Sequence, residues 1–192
     1  MPPIRKLRRN APGANSSALS LIDPSDVRRD VSLLQQNATL FHGSLRDNLA
    51  MGRPQASDSE ILHALHLAGA LRLVQRMPQG LDHTLREGGL GLSGGQRKAL
   101  LLARTLVRES PVLLLDEPTA SMDEMSERHI IEHLQSWLKE RTLVVATHRL
   151  TMLQWVDRVL ILEGGRVVSD EAKESFLARR AKLVGMRGAA AS

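Results

Sequence analysis

Apolar residues fall along this chain in two rhythms. From Ser57 to Ala70 they recur at helical spacing, with Ile61, Leu65 and Ala68 on one face, which predicts an amphipathic helix. The same spacing returns from Ser93 to about Arg108. It returns again from about Asp123 to Lys139, where Ile130, Ile131, Leu134, Trp137 and Leu138 are apolar. Between these lie short unbroken runs: VSLL (Val31–Leu34), VLLL (Val112–Leu115) and LVVA (Leu143–Ala146). Strands without polar alternation, separated by helices, predict a parallel sheet covered on both faces. Val159 to Leu162, the turn Glu163-Gly164-Gly165-Arg166, and Val167-Val168 predict a hairpin, with a short helix before it and a terminal helix from about Glu171 to Lys182. Asp23-Pro24-Ser25 reads as a helix start with proline at the first helical position. Gly80 to Gly91 reads as loop, and Met1 to Ser20, which has no periodicity, as disordered. The pattern is that of an α/β chain whose chemistry belongs at the carboxyl ends of its strands.

Composition narrows the picture. The chain has 192 residues, 42% hydrophobic and 24% charged, enough for one globular domain with a core. No apolar run reaches the roughly 18 residues a bilayer crossing needs, and no apolar segment follows the basic N-terminus as a signal peptide requires. The absence of cysteine excludes disulfide and thiolate chemistry. The net charge of +5 sits in the tails: Arg5, Lys6, Arg8 and Arg9 at one end, Arg179, Arg180, Lys182 and Arg187 at the other. With those eight set aside, 18 basic residues face 21 acidic ones. The tails read as solvated, or as a weak contact with anionic lipid or nucleic acid. Four aromatics, Phe41, Trp137, Trp155 and Phe176, are too few for a base-stacking platform.

Two stretches carry chemistry. Asp116 and Glu117 follow directly on the run Val112–Leu115, which places two carboxylates at the end of a buried strand. A carboxylate there suits Mg2+, which takes few protein ligands, and its neighbour suits orienting or deprotonating a water. Two loop acids without partners is the plainer reading. In the second stretch, Ser93-Gly94-Gly95-Gln96 fits the S-x-x-Q capping box. Yet two glycines in a first turn cost about 1 kcal/mol each relative to alanine. Either the stretch is simply a capped helix, or its bare amides cradle a phosphate. The pairs His63/His66 and His129/His133 have helical spacing without an evident third metal ligand and read as surface histidines.

In order along the chain, LSGGQ (Leu92–Gln96), VLLLDEPTASMD (Val112–Asp123) and VVATHR (Val144–Arg149) resemble the ATP-binding cassette (ABC) ATPases. The resemblance runs from about Ala18 to Leu183. It implies a P-loop-NTPase-like parallel sheet flanked by helices, with a helical signature subdomain at about 44–108 and a RecA-like part over 22–43 and 109–170. It places a basic leader at 1–20, the partial ATPase domain at 21–183 and a disordered tail at 184–192. It implies ATP and Mg2+ as cofactors. Leu92, Ser93, Gly94, Gly95 and Gln96 match the signature, which serves the ATP of a second cassette in a head-to-tail dimer. Glu117 matches the catalytic glutamate, His148 the switch histidine, Asp116 the magnesium-binding carboxylate and Gln36 the glutamine loop. Asp123 closes the interface loop, and Glu87 matches the acidic loop of exporters. A narrower likeness, to type I secretion ATPases, rests on residues 21–52 and on the ASMD form of the interface loop. It implies a transmembrane exporter partner, a protein substrate, no nucleic-acid partner and a cytoplasmic position peripheral to the inner membrane.

One family motif is missing. No G-x-x-x-x-G-K-[ST] occurs in these 192 residues, and no aromatic precedes Phe41 to stack on adenine. The expectation is an N-terminally truncated, frame-shifted or mis-started product, inactive alone, either a remnant or a module that donates its signature. Upstream DNA without such a loop in any frame refutes the truncation. A DNA-maintenance or translation-factor ATPase is disfavoured, because no coiled-coil insertion separates Gln36 from the signature.

Overall fold

A computed structural model of the chain describes residues Asp23 to Ala189; the leader expected over 1–20 lies outside the described residues. The elements are, in order, α1 (Pro24–Asp30), β1 (Val31–Leu34), β2 (Gly43–Ser44), α2 (Leu45–Ala50), α3 (Asp58–Leu67), α4 (Leu71–Gln75), β3 (Thr84–Leu85), α5 (Gly94–Val107), β4 (Val112–Asp116), α6 (Glu124–Leu138), β5 (Thr142–Ala146), β6 (Arg158–Glu163), β7 (Arg166–Ala172) and α7 (Lys173–Ala189).

Local chemistry explains where they start. Asp23 caps α1, accepting from the Ser25 amide at 2.7 Å, with Pro24 inside the first turn. Ser57 with Glu60, and Ser93 with Gln96, form complete capping boxes on α3 and α5. Asp123 caps α6. The hairpin of β6 and β7 turns at Gly164 and Gly165, with φ of +55° and +76°, the left-handed pair that a two-residue turn demands.

β1, β4 and β5 form a parallel sheet in that order, in register at Leu33, Leu114 and Val144. The fully buried side chains of α5 (Leu100, Leu102, Leu106) and α6 (Ile130, Leu134) join Leu34, Leu113 and Leu115 of the sheet in one core. Burial of each such leucine contributes roughly 1.5–3 kcal/mol. Helices α2 and α3 pack on α5 to complete the helical part.

Three expectations need correction. The sheet is covered on one face only among the described residues: Leu33 is 54% exposed and Val144 55%, while Leu34 and Leu113 on the other face are buried. An unbroken apolar run reports hydrophobicity on both faces, not which element lies there. Gly80 to Gly91 is not plain loop, since it holds the short 3-10 turns 80–82 and 87–89 and the strand β3 paired with β2. The terminal helix passes Lys182 and reaches Ala189, so the tail expected from 184 is helical that far, and 190–192 lie outside the described residues. The short helix before the hairpin is a 3-10 segment, Leu150–Trp155.

Candidate functional site

The carboxyl ends of β4 and β5 lie side by side, Asp116 opposite Ala146. Just past β4 the backbone of Glu117 turns into the left-handed region, φ +46°, and its amide donates to the Ala146 carbonyl at 2.9 Å. A non-glycine residue held there costs on the order of 1–3 kcal/mol, sustained by its surroundings. The turn aims the Glu117 carboxylate at the loop after β5. One oxygen accepts from the Thr147 hydroxyl at 3.1 Å. The other accepts from the His148 amide at 3.1 Å and from the His148 ring Nδ1 at 2.7 Å. Burial pushes the Glu117 carboxyl up, but the hydrogen bonds from His148 and Thr147 outweigh it and hold the group below the usual glutamate value. Glu117 is 15% exposed and His148 80%, so a charged carboxylate sits under a ring open to solvent.

Two features here were not legible in the sequence. Lys98 is only 6% exposed, and its ammonium donates to the Asp116 carbonyl at 3.3 Å. Burial lowers its pKa, opposed by the charges of Asp116 and Glu117. Its signal was a lysine placed directly before the buried run from Ala99 to Ala103. Glu127, also buried, forms an ion pair with Arg149 and accepts from Thr151 and Thr119. Nothing in the sequence singled it out among the polar residues of α6.

The start of α5 forms the second part. The Ser93 hydroxyl accepts from the Gln96 amide at 3.2 Å, and the Gln96 side chain accepts from the Ser93 amide at 2.9 Å. The amides of Gly94 and Gly95 precede the first intrahelical bond, from Arg97 to the Ser93 carbonyl. The glycines also have a packing reason. A Cβ on Gly95 would lie 3.0 Å from the Ser121 carbonyl oxygen, and one on Gly94 3.0 Å from the Ser121 Cβ. Gly94, Lys98 and Ser121 line an open cleft of about 340 Å³ together with Gln36 and Asn37.

The remaining candidates lie around these two parts. Leu92 packs partly against the core. Asp123 accepts from the Ser126 amide and hydroxyl, which spends its carboxylate on capping α6. Glu87 is not at the cleft with Gly94; it accepts from the His42 amide at 2.9 Å, tying its turn to the segment after Gln36. A further hub, missed in the sequence, is buried Asn48 with Arg104. Arg104 donates to the Thr39 and Asn48 carbonyls at 2.8 and 2.7 Å and so clamps that segment onto α5. Of the histidines set aside as surface pairs, His66, His129 and His133 meet between α3 and α6, with His133 centred 4.5 Å from His66 and 3.8 Å from His129. Among the described residues no group of three or more His, Asp or Glu is arranged to hold a metal ion.

The family model for "ABC transporter" matches residues 10–120, more than half of the chain. The chain belongs to the ABC transporter family. This ABC chain is 39% identical over 160 residues to the cyclolysin secretion/processing ATP-binding protein CyaB of Bordetella pertussis, covering 83% of itself and 22% of that protein. It is 36% identical over 163 residues to the ATP-dependent lipid A-core flippase of Nitrosococcus oceani, covering 84% and 27%. Among solved structures it matches a bacterial Atm1-family ABC exporter with ATP bound, at 32% identity and TM-score 0.75, over 88% of this chain and 29% of that one. The chain thus spans about a quarter of the length of these relatives. Among the described residues no helix is long and apolar enough to cross a membrane.

Proposed function

We propose that this chain supplies the signature and hydrolytic elements of an ABC exporter ATPase. The observation that carries the reading is the Glu117 carboxylate, held charged by Thr147 and His148 beside Asp116 at the end of β4. In this reading Glu117 is the base that orients and deprotonates the attacking water. His148 holds that carboxylate from the solvent side. Asp116, at the end of β4, would be the hard oxygen ligand for Mg2+, and Gln36, which lines the cleft, would add an amide oxygen. Bound Mg2+ and ATP bring the phosphoryl group to be transferred and the cation that offsets its charge. Leu92 to Gln96 face the ATP of a second cassette, Gly94 and Gly95 presenting first-turn amides. Asp123 ends the loop that meets that cassette, and Glu87 faces a transmembrane partner. The helical part is 44–108 and the RecA-like part 22–43 with 109–170.

The cargo we favour is a protein, as in type I secretion, because CyaB is named for cyclolysin secretion and the match to it is 39% identical. The place of action is the cytoplasmic side of the inner membrane, peripheral to it. A second reading, a signature-donating module without turnover of its own, is favoured by the lack of G-x-x-x-x-G-K-[ST] in these residues.

ATP turnover, measured for the chain alone and mixed with a homologous cassette carrying a substituted signature serine, tests the proposal. The expected result is no turnover alone and restored turnover in the mixture, abolished again by Ser93→Arg. A mixture that associates without any restored turnover refutes signature donation.

A further inference from the structure

We infer that Glu127 is a positioning residue, whose buried carboxylate sets the contact between Glu117 and His148. His148 is 80% exposed, so no packing from outside keeps its ring on Glu117. Its place is decided by the backbone on either side, and both flanks of the contact end on one carboxylate. On the β4 side, Thr119 lies two residues after Glu117 and donates to Glu127 at 3.2 Å. On the β5 side, Arg149 next to His148 is ion-paired with Glu127, and Thr151 donates to it as well. Arg149 also reaches the Met122 carbonyl at 3.4 Å, while its amide donates to the Thr147 hydroxyl at 3.1 Å. The Thr147 hydroxyl is itself a donor to Glu117.

Burial makes this hub stiff. The Glu127 side chain is 5% exposed, and a carboxylate out of water is tolerated only while its donors stay in place. Any displacement of the 147–151 loop strips donors from it, so the loop is held at one position. Glu127 itself touches neither Glu117 nor His148 through a hydrogen bond and acts through the loops that carry them. The functional importance of the contact rests on the reading of Glu117 and His148 given above, but the contact itself does not.

The state of the His148 ring reports the contact directly. Its Nδ1 faces a carboxylate that only accepts, so neutral His148 is held as the Nδ1–H tautomer and not the Nε2–H form that predominates in free histidine. NMR of the full chain with ¹⁵N-labelled histidine at pH 8, the signal assigned with His148→Gln, reads this ratio. Wild type is expected to show mainly Nδ1–H. Glu127→Gln and Glu127→Ala are expected to revert to mainly Nε2–H although Glu117 is intact, matching Glu117→Gln. A folded Glu127→Ala that keeps the Nδ1–H tautomer overturns the proposal. Should Glu127→Ala not fold, Thr119→Val/Thr151→Val decides, since an unchanged tautomer there overturns it equally. The readout needs no nucleotide, so the positioning role stands or falls on the tautomer alone, and a failure of signature donation in the turnover assay leaves it untouched.

Discussion

A side chain added at Gly95 would meet the Ser121 carbonyl oxygen at 3.0 Å and the Met122 Cα at 3.5 Å, both backbone atoms that cannot swing aside. In an open helix Gly→Ala gains about 1 kcal/mol. Here overpacking against backbone reverses the sign, and Gly95→Ala is expected to cost about 1–3 kcal/mol net of the propensity gain. A lowered urea midpoint at unchanged slope would show it. An increase in stability would mean the start of α5 and the Ser121 loop are not in contact. At this scale the sequence left two readings of the glycine pair open, a phosphate cradle or a plain capped helix. The structure adds a third cause, because glycine removes the bulk between α5 and a loop more than twenty residues away in the chain.

Elements show a second kind of dependence. α5 begins on a capping box whose two halves are both made, so Ser93→Ala removes one donor's partner at an exposed helix end. The expected loss is about 1 kcal/mol, seen in chemical denaturation, with Ser93→Gly costing only a few tenths. Between α3 and α6 the three clustered histidines, His133 stacked on His66 and edge-on to His129, make stability sensitive to pH. Partial burial depresses the His129 pKa first, and His133, Arg72 and His66 add to it against an opposing Glu132. A depressed histidine is neutral in the fold while the unfolded chain still binds its proton. Its contribution is therefore present above the unfolded value of about 6.5 and is lost as pH falls from there through the folded value. The urea midpoint of wild type should fall more between pH 8 and 5.5 than that of His129→Gln. Equal falls would remove His129 as the cause.

For the molecule as a whole, the one-sided sheet predicts a split between its faces. Leu113→Ala empties a fully buried site in the core and is expected to cost about 2–5 kcal/mol. Val144, in the adjacent strand but on the uncovered face, is 55% exposed. Its change to alanine should stay within about 0.5 kcal/mol, as for surface positions in general. Comparable losses at both sites, measured by denaturation, would mean that the second face is covered in solution.

Much of the architecture was legible in residue order. The helix starts at Asp23, Ser57, Ser93 and Asp123, the three apolar strands and the Gly164-Gly165 turn follow from local propensity and period, which act within a few residues. The position of Asp116 and Glu117 at the end of a buried strand was legible too, whereas His148 stood out only through the resemblance of VVATHR to the ABC ATPases. Tertiary structure alone decided which groups meet. The proximity of Gly95 to Ser121, the burial of Lys98 under Asp116, and the convergence of Thr119, Arg149 and Thr151 on Glu127 join residues far apart in the chain. Such contacts depend on how helices pack on the sheet, and no local pattern encodes the partner. The same limit left the uncovered face of β5 invisible, because an apolar strand reads alike whether one side or both are buried.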